Sequence, residues 1–467
     1  MGDVTGARAV PEAGGSGRFV YVVAAAAAVG GLLFGYDTGI ISAALLFIAE
    51  DFDIGSGMQQ IVVSAILVGA ILGALGSGRL SDRLGRRPVV LITAIVFAVG
   101  ALAAAFAPNA ALLIVARLLL GIAVGASSQI VPVYIAELSP ARTRGGLVVL
   151  FQLMITVGIL TAYVAGYAFS GGSGWRQMFG LGVVPALVLA LAMIVLPESP
   201  RWLLIHRGVE PAARVLRRVR GAGADITAEV AEIEASRHGE GGRFRDLLAQ
   251  RWVRPALVAG LGLAMFSQIT GVNVVIYYAP TILATSGFGE SAAILATVGV
   301  GIVNMLMVVA GTFLVDRIGR RRLLIALLPL AVLSLIVLGA VFLGGDPEGA
   351  GRGLAVAAIM GFIAFNGGSL SVVLWLYGSE VFPLSVRGAA TSASALTVWV
   401  FNLLVALTTL SLTEGIGVTA TFWLYAVVNA LAWLFVLRFV PETKGRSLEQ
   451  IEASLRAGTF RTGGAST

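Results

Sequence analysis

The sequence predicts an all-α membrane protein of twelve transmembrane helices, built as two related six-helix halves. Three observations predict this fold class. Hydrophobic residues make up 58% of the 467 residues and charged residues only 12%, whereas soluble domains carry about 25% charged residues. Apolar runs long enough to cross a bilayer recur along the chain, and several motifs occur once in each half of it.

Composition limits the possible classes of function. The charged residues are too few to cover the surface of a soluble protein of this length, so apolar surface must face lipid. The 60 glycines suit membrane helices, because small residues let such helices pack closely. The chain has no cysteine, which excludes disulfides, a thiolate nucleophile and a Cys-ligated metal site. The net charge of +7 comes from arginines clustered between apolar runs rather than from a basic surface for nucleic acid.

Twelve segments reach the length of about 20 apolar residues that a spanning helix needs. The first, from Phe19, is too long for the apolar core of a signal peptide and no cleavage site follows it, so we interpret it as a span. The predicted spans are 19–48, 59–79, 88–107, 110–136, 147–169, 176–196, 255–285, 291–315, 323–343, 353–378, 389–410 and 418–440.

These spans divide the chain into five regions. A polar, Gly-rich N-terminal tail is expected to be disordered, and an Arg-rich linker with short helices near 211–219 and 228–235 separates the two halves. The regions are the tail 1–17, the N-terminal half 18–200, the cytoplasmic linker 201–254, the C-terminal half 255–440 and the cytoplasmic C-terminal tail 441–467.

Arginines predict the orientation, because Lys and Arg in short loops stay in the cytoplasm. One set of connections holds the arginines of 79–87, 142–144, 201–254 and 317–322, whereas the opposite set holds only Arg176 and Arg352. Both termini are therefore expected in the cytoplasm. The Arg-, Ala- and Gly-rich composition indicates a bacterial genome, so we expect a multi-pass protein of the bacterial cytoplasmic (inner) membrane.

The two halves repeat the same motifs in the same order. Asp82-Arg-Leu-Gly-Arg-Arg87 is echoed by Asp316-Arg-Ile-Gly-Arg-Arg321, and the segment from Glu137 to Arg144 is echoed by that from Glu380 to Arg387. Pro197-Glu-Ser is likewise echoed by Pro441-Glu-Thr. Such a parallel duplication is expected of a transporter whose halves rock against each other. A simple topology anchor is the alternative, but it would need no fixed Asp or Gly.

Asp37 is the deepest carboxylate in a predicted span. An ionisable group at that depth costs several kcal/mol unless it is paired or functional. Arg117 in the fourth span lies at a similar predicted depth. If Arg117 is near, Asp37 should be ionised, and if Arg117 withdraws, burial favours the protonated form. The pair is therefore either a proton site or a static ion pair that locks two helices.

Amide side chains recur in the middle of spans, where a polyhydroxylated solute would need neutral hydrogen-bonding partners. Each one alone could instead hydrogen-bond neighbouring helices. Trp375 and Trp399 add apolar faces. The amides are Gln152, Gln268, Asn273, Asn304 and Asn402.

The motifs together resemble the sugar porter family of the major facilitator superfamily, whose members include xylose–proton symporters and glucose facilitators. The resemblance runs from about Phe19 to Ala453. It is carried by the duplicated motifs, by Gly30-Gly-Leu-Leu-Phe-Gly-Tyr-Asp-Thr-Gly39, by Arg117 with Gly121, and by Tyr134-Ile-Ala-Glu-Leu138. It implies the major facilitator fold and alternating access. It also implies proton coupling through Asp37 and Arg117, because facilitators carry an uncharged residue at the position of Asp37.

The resemblance also implies a set of site residues. Ser267 and Val398 stand where the family usually has Gln, so the site is expected to lack two long amides, and Asn402 matches a position close to the site. The implied substrate-binding residues are Phe34, Gln152, Ser267, Gln268, Asn273, Tyr277, Asn304, Trp375, Val398 and Asn402. The implied cytoplasmic gate charges are Asp82, Arg83, Glu137, Arg144, Asp316, Arg317, Glu380 and Arg387, whose pairs across the halves would break when the cytoplasmic side opens.

We therefore expect a secondary active transporter that carries a monosaccharide or polyol together with protons. A facilitator with a structural Asp37–Arg117 pair and, less favoured, a sugar receptor that does not transport remain alternatives. No enzyme activity, cofactor, metal or nucleic-acid partner is expected, and the chain has no nucleotide-binding Gly-Lys-Ser/Thr loop. The expected partners are the solute, protons and the lipid bilayer, with the protein acting as a monomer.

Overall fold

The computed structural model describes residues 18–140, 142–170, 174–221, 225–236, 250–285, 287–383 and 386–460. The elements in these ranges are α-helices and one short 3-10 turn, Arg251–Val253. The predicted all-α class is therefore confirmed. The predicted disordered tail, residues 1–17, lies outside the described residues.

The N-terminal half contains six spans. The sixth is broken at Gly182 into two helices, α6 and α7. The helices are α1 (Arg18–Asp51), α2 (Ser56–Leu84), α3 (Arg86–Ala105), α4 (Ala110–Leu138), α5 (Arg144–Ala168), α6 (Trp175–Leu181) and α7 (Val183–Val195).

The C-terminal half also contains six spans, because its longest helix, Arg387–Phe439, is two spans joined at Gly417, where φ is 82°. The seventh and tenth spans are each broken near their middle, although the sequence predicted continuous runs. The helices are α11 (Arg254–Ile269), α12 (Val272–Thr285), α13 (Glu290–Ile318), α14 (Arg320–Val341), α15 (Ala350–Gly367), α16 (Leu370–Val381) and α17 (Arg387–Phe439). Twelve spans in two halves agree with the prediction.

Short helices connect and follow the halves. They are α8 (Pro200–Arg207), α9 (Val209–Arg220), α10 (Thr227–Ser236) and, after the last span, α18 (Leu448–Arg456). The linker is tied to the N-terminal half by Arg220, which donates to the carbonyl oxygens of Leu138 at 2.5 Å and Ser139 at 3.2 Å. A hydrogen bond from the backbone N–H of Thr227 lowers the pKa of Asp225, just before α10.

Close helix packing explains much of the glycine content. A Cβ atom at Gly35 of α1 would overlap the carbonyl oxygen of Ile155 in α5, and one at Gly158 of α5 would overlap that of Leu32. α2 and α4 meet in the same way at Gly69. Because lipid supplies no hydrophobic driving force between helices, such backbone approach is a main source of their association.

The duplicated motifs have the same geometry in both halves. Gly85 and Gly319 have φ values of 103° and 102°, a conformation that favours glycine, and each separates two spans. The Glu198 carboxylate accepts from the backbone N–H of Arg86 at 3.0 Å, as Glu442 does from Arg320 at 2.9 Å. The Pro-Glu motifs therefore cap the N-termini of α3 and α14, where a negative charge stabilises the helix.

Candidate functional site

A central cavity of about 130 Å³ lies between the halves. Its wall from the N-terminal half includes Phe34 and Gln152, and its wall from the C-terminal half comes from α11, α12, α13, α16 and α17. None of the lining residues carries a charge. Pockets for drug-sized ligands measure roughly 300–1,000 Å³, so this cavity suits one small neutral solute.

The structure brings together all ten residues that the sequence predicted as substrate-binding, since each of them lines this cavity. The lining also includes residues that were not predicted as site residues, among them Thr38, Thr156 and Ser371. Their small hydroxyl side chains are common in spans and gave no distinct signal.

The amides on the C-terminal wall are bonded to one another. Asn273 donates to the Gln268 side-chain oxygen at 2.7 Å, and Gln268 donates to the Ser267 hydroxyl at 2.9 Å. Ser267 in turn donates to the Ala264 carbonyl oxygen at 2.8 Å. This chain fixes the orientation of the Gln268 amide before any solute arrives, which lowers the entropic cost of binding.

The break between α11 and α12 positions this chain of amides. Gly271 has a φ of 90°, and Asn273 follows it in the first turn of α12. Two buried asparagines hold the break: Asn429 donates to the Thr270 carbonyl oxygen at 2.8 Å, and Asn366 donates to the Thr270 hydroxyl at 3.1 Å. Sequence reasoning did not identify these two supporting amides.

Aromatic rings close the cavity between the halves. Phe34 of α1 and Trp399 of α17 have ring centroids 5.4 Å apart. Trp375 lines the cavity with 44% of its surface exposed. Aromatic faces of this kind can pack against the C–H groups of a solute while the amides bond its hydroxyls.

Asp37 and Arg117 form a buried pair in the N-terminal half. Asp37 Oδ2 lies 3.8 Å from Arg117 Nη2, and the two residues are 2% and 0% exposed. Arg117 Nε donates to the Val62 carbonyl oxygen at 2.8 Å. In the described part of the chain, Asp37 Oδ2 and Arg117 Nη1 have no hydrogen-bond partner. The charges therefore attract each other without a hydrogen bond, which leaves the carboxylate available for a proton.

The family model for "sugar (and other) transporter" matches residues 23–455 of this sequence.

The chain belongs to the sugar transporter family.

Curated relatives agree with this assignment. A glucose transporter of Staphylococcus epidermidis is 42% identical over 439 residues, which cover 94% of this chain and 98% of that protein. A D-xylose transporter of Levilactobacillus brevis is 43% identical and covers 94% and 96%. A galactose–proton symporter of Escherichia coli is 38% identical and covers 96% and 98%. The protein is therefore a membrane transporter and not an enzyme.

Solved structures give the same fold. The xylose transporter of Escherichia coli, in a partially occluded inward-open conformation, superposes with a TM-score of 0.81 at 30% identity. That comparison covers 92% of this chain and all of the other. The major facilitator fold expected from the motifs is therefore confirmed.

The predicted gate charges of the transporter all make their described contacts within their own half. Glu137 pairs with Arg86 at 3.2 Å and Glu380 pairs with Arg320 at 2.7 Å. Asp82 lies 3.1 Å from Arg86, and Asp316 lies 3.1 Å from Arg320. The predicted gate arginines of the duplicated motifs, Arg83 and Arg317, are therefore not the paired ones in the described part of the chain. Arg86 and Arg320, which follow the glycine of each motif, lie at the centre of each charge cluster.

The contacts that the structure describes for Arg144, Arg317 and Arg387 also stay within their own half. Arg144 donates to the Ala136 carbonyl oxygen at 3.1 Å, and Arg387 donates to that of Phe382 at 3.2 Å. Lys444 donates to the carbonyl oxygen of Arg317 at 2.6 Å. Pairs across the halves are expected to break when the arginine-rich end of the bundle, defined by Arg83, Arg142 and Arg317, opens, and this arrangement agrees with that state.

Proposed function

We propose that this transporter carries a neutral monosaccharide or polyol together with a proton, by alternating access of the central cavity to the two sides of the membrane. The uncharged cavity of amides and aromatic rings supports a polyhydroxylated solute. The close relationship to the glucose and D-xylose transporters and to the galactose–proton symporter supports a sugar.

The buried Asp37–Arg117 pair carries the proposal of proton coupling. Asp37 precedes the cavity residue Thr38, and its carboxylate has a cationic neighbour at 3.8 Å to which it is not hydrogen-bonded. A carboxylate that is ionised near Arg117 and protonated away from it links proton uptake to helix position.

The proposed setting is the bacterial inner membrane, with both termini in the cytoplasm. The arginine-rich end then faces the cytoplasm, as short basic loops favour. We propose a monomer as the transporting unit, because the two halves of the chain form the opposite walls of the cavity.

The test is Asp37→Asn in proteoliposomes. Asn keeps the size of the side chain and can accept a hydrogen bond from Arg117, but it cannot titrate. Uptake against a sugar gradient, driven by a pH gradient, should be lost, whereas exchange between two sugar-filled compartments should persist. Glu50→Gln is the matched control, because Glu50 is an exposed carboxylate at the end of the same helix.

Three results would favour the alternatives. An Asp37→Asn variant that still concentrates sugar would mean that the Asp37–Arg117 pair is structural and that protons are coupled elsewhere. A wild-type protein that equilibrates sugar across the membrane but does not concentrate it would be a facilitator. A wild-type protein that binds sugar without any flux would mean that it is a receptor.

A further inference from the structure

Two tyrosines of α12, in the opposite half of the transporter, lie within electrostatic range of the Asp37–Arg117 pair. Both Tyr277 and Tyr278 interact electrostatically with Arg117, and Tyr277 also interacts with Asp37. Both are buried, with 4% and 0% of their surface exposed. α1, which carries Asp37, packs directly against α12.

The two hydroxyls differ in what they bond. Tyr278 donates to the Ala406 carbonyl oxygen at 2.8 Å and does not line the cavity. The Tyr277 hydroxyl accepts a hydrogen bond from the Asn402 side chain at 3.1 Å, and both Tyr277 and Asn402 line the cavity. Only Tyr277 therefore combines contact with a cavity amide and proximity to the ion pair.

The side-chain amide of Asn402 has a hydrogen-bond partner for its nitrogen but none for its oxygen among the described residues. Its nitrogen donates to Tyr277, but its buried Oδ1 has no hydrogen-bond partner among the described residues. An unsatisfied buried acceptor is costly, and a solute hydroxyl in the cavity would satisfy it. Hydrogen bonds in a chain polarise one another, so a bond to Oδ1 would strengthen the donation from Asn402 to Tyr277.

We propose that Tyr277 is the positioning residue that couples the Asp37–Arg117 pair to the solute, acting through Asn402. The inference rests on the proposed proton–sugar symport and assigns its internal route. Protonation of Asp37 removes a charge from the field at the Tyr277 hydroxyl, and solute binding changes the hydrogen bond on the other side of that hydroxyl. Each event therefore alters the free energy of the other, and such coupling is reciprocal.

The surroundings of Asp37 contain few other titratable groups that could take this role. Tyr36 lies on the same helix and donates to the Met178 carbonyl oxygen at 2.6 Å. α5 faces α1 at this level with Ile155 against Gly35, and its Tyr163 interacts with Tyr277 rather than with the pair. Tyr163 donates to the Ile276 carbonyl oxygen at 3.1 Å.

The experiment measures sugar affinity as a function of pH for the purified transporter and its Tyr277→Phe and Tyr278→Phe variants. Tyr277 itself lines the cavity, so the readout is the pH profile and not the affinity at one pH. The wild-type affinity should change about 5- to 150-fold across the profile, the usual range of coupling between two sites. Tyr277→Phe should flatten this change to within about twofold, the scatter expected of independent sites, and Tyr278→Phe should retain it.

Two further variants keep the test decisive. Asn402→Ala should flatten the profile as Tyr277→Phe does, which covers the case that the tyrosine variant fails to fold. In an Asp37→Asn background, whose profile is already flat, Tyr277→Phe should cause no further change in pH dependence.

The outcomes separate the inference from the proposed function. If the wild-type protein shows neither pH-dependent affinity nor uptake driven by a pH gradient, the proposed symport itself fails. If the wild-type profile is pH-dependent and both Tyr277→Phe and Asn402→Ala retain it, the coupling role of Tyr277 is overturned while symport stands. A pH-independent affinity in a protein that does use the proton gradient would overturn the role as well.

Discussion

The amides of the cavity fall into two kinds at the residue scale. Gln268 and Asn273 are bonded to each other, whereas the side chains of Gln152 and Asn304 make no hydrogen bond within the described part of the chain. The Gln268–Asn273 wall is therefore preorganised for a solute, whereas the Gln152 and Asn304 amides become ordered only when the solute binds. The two kinds should respond differently to mutation.

The first prediction is that Gln268→Ala and Asn273→Ala are not additive in sugar affinity. Each removes the partner of the other, so a double-mutant cycle should give a coupling free energy of about 0.5–3 kcal/mol. Gln152→Ala should weaken binding by roughly 1–3 kcal/mol, because a buried solute hydroxyl loses its partner. The measurement is titration of sugar into each purified variant.

Combining Gln152→Ala with Asn273→Ala gives the matched control for this cycle, and these two effects should add. Ser334→Ala, on an exposed part of α14, should leave affinity unchanged. Additive effects of Gln268→Ala and Asn273→Ala would contradict the preorganised wall.

The sequence predicted many of the residues that line the cavity, but it did not predict the residues that support them. Mid-span polar residues in a lipid environment need a reason to be there, and that reasoning, together with the family motifs, led to ten of the residues that line the cavity. Asn366 and Asn429 are mid-span amides too, but they hold the helix break at Thr270. Composition cannot separate the two roles, because the direction of a side chain depends on where its helix breaks.

At the scale of the elements, the broken helices are the main difference between prediction and structure. The seventh and tenth spans were predicted as continuous runs, 255–285 and 353–378. The structure breaks the tenth span at Gly368 and Ser369. Hydropathy reports only the length of an apolar run, so a break whose backbone groups are satisfied by buried side chains leaves no signal in it.

The hydrogen bonds that the structure describes between the halves lie toward the arginine-poor end of the bundle. Gln60 of α2 donates to the Ser411 hydroxyl of α17 at 2.8 Å and accepts from the Ser411 backbone N–H at 3.4 Å. Gln60 is 4% exposed. The neighbouring Gln59 instead donates to the Ile54 carbonyl oxygen within its own half, at 3.0 Å.

The second prediction is that Gln60→Ala shifts the transporter toward the conformation that is open at the arginine-poor end. A net hydrogen bond contributes about 0.5–1.5 kcal/mol, so the equilibrium should move about two- to tenfold. A cysteine introduced at Thr413, which lines an outer cavity between the halves, reports the shift through its rate of labelling from outside. The chain has no other cysteine.

Thr408→Ala is the control, since the hydrogen bonds that the structure describes for the Thr408 hydroxyl go only to the Leu404 and Val405 carbonyl oxygens of its own helix. It should leave the labelling rate unchanged. Equal rates in the Gln60→Ala variant and the wild-type protein would show that this contact does not hold the halves together.

At the scale of the whole molecule, the hydrogen bonds that the structure describes between the halves lie toward the arginine-poor end. Gln60 bonds Ser411 there, and Tyr163 bonds the Ile276 carbonyl oxygen. The gate charges pair within their own halves in the same structure, which is the arrangement expected when contacts across the arginine-rich end are broken.

The last prediction concerns which end faces the cytoplasm, and it decides whether this conformation is inward-facing. Single cysteines at Glu210 of α9 and at Glu348 of the connection between α14 and α15 lie at opposite ends, and both positions are exposed. Because basic loops stay in the cytoplasm, a membrane-impermeant thiol reagent should label Glu348→Cys in intact cells. It should label Glu210→Cys only after permeabilisation, while the cysteine-free parent gives no background. Labelling of Glu210→Cys in intact cells would reverse the orientation, and the open end would then face outward.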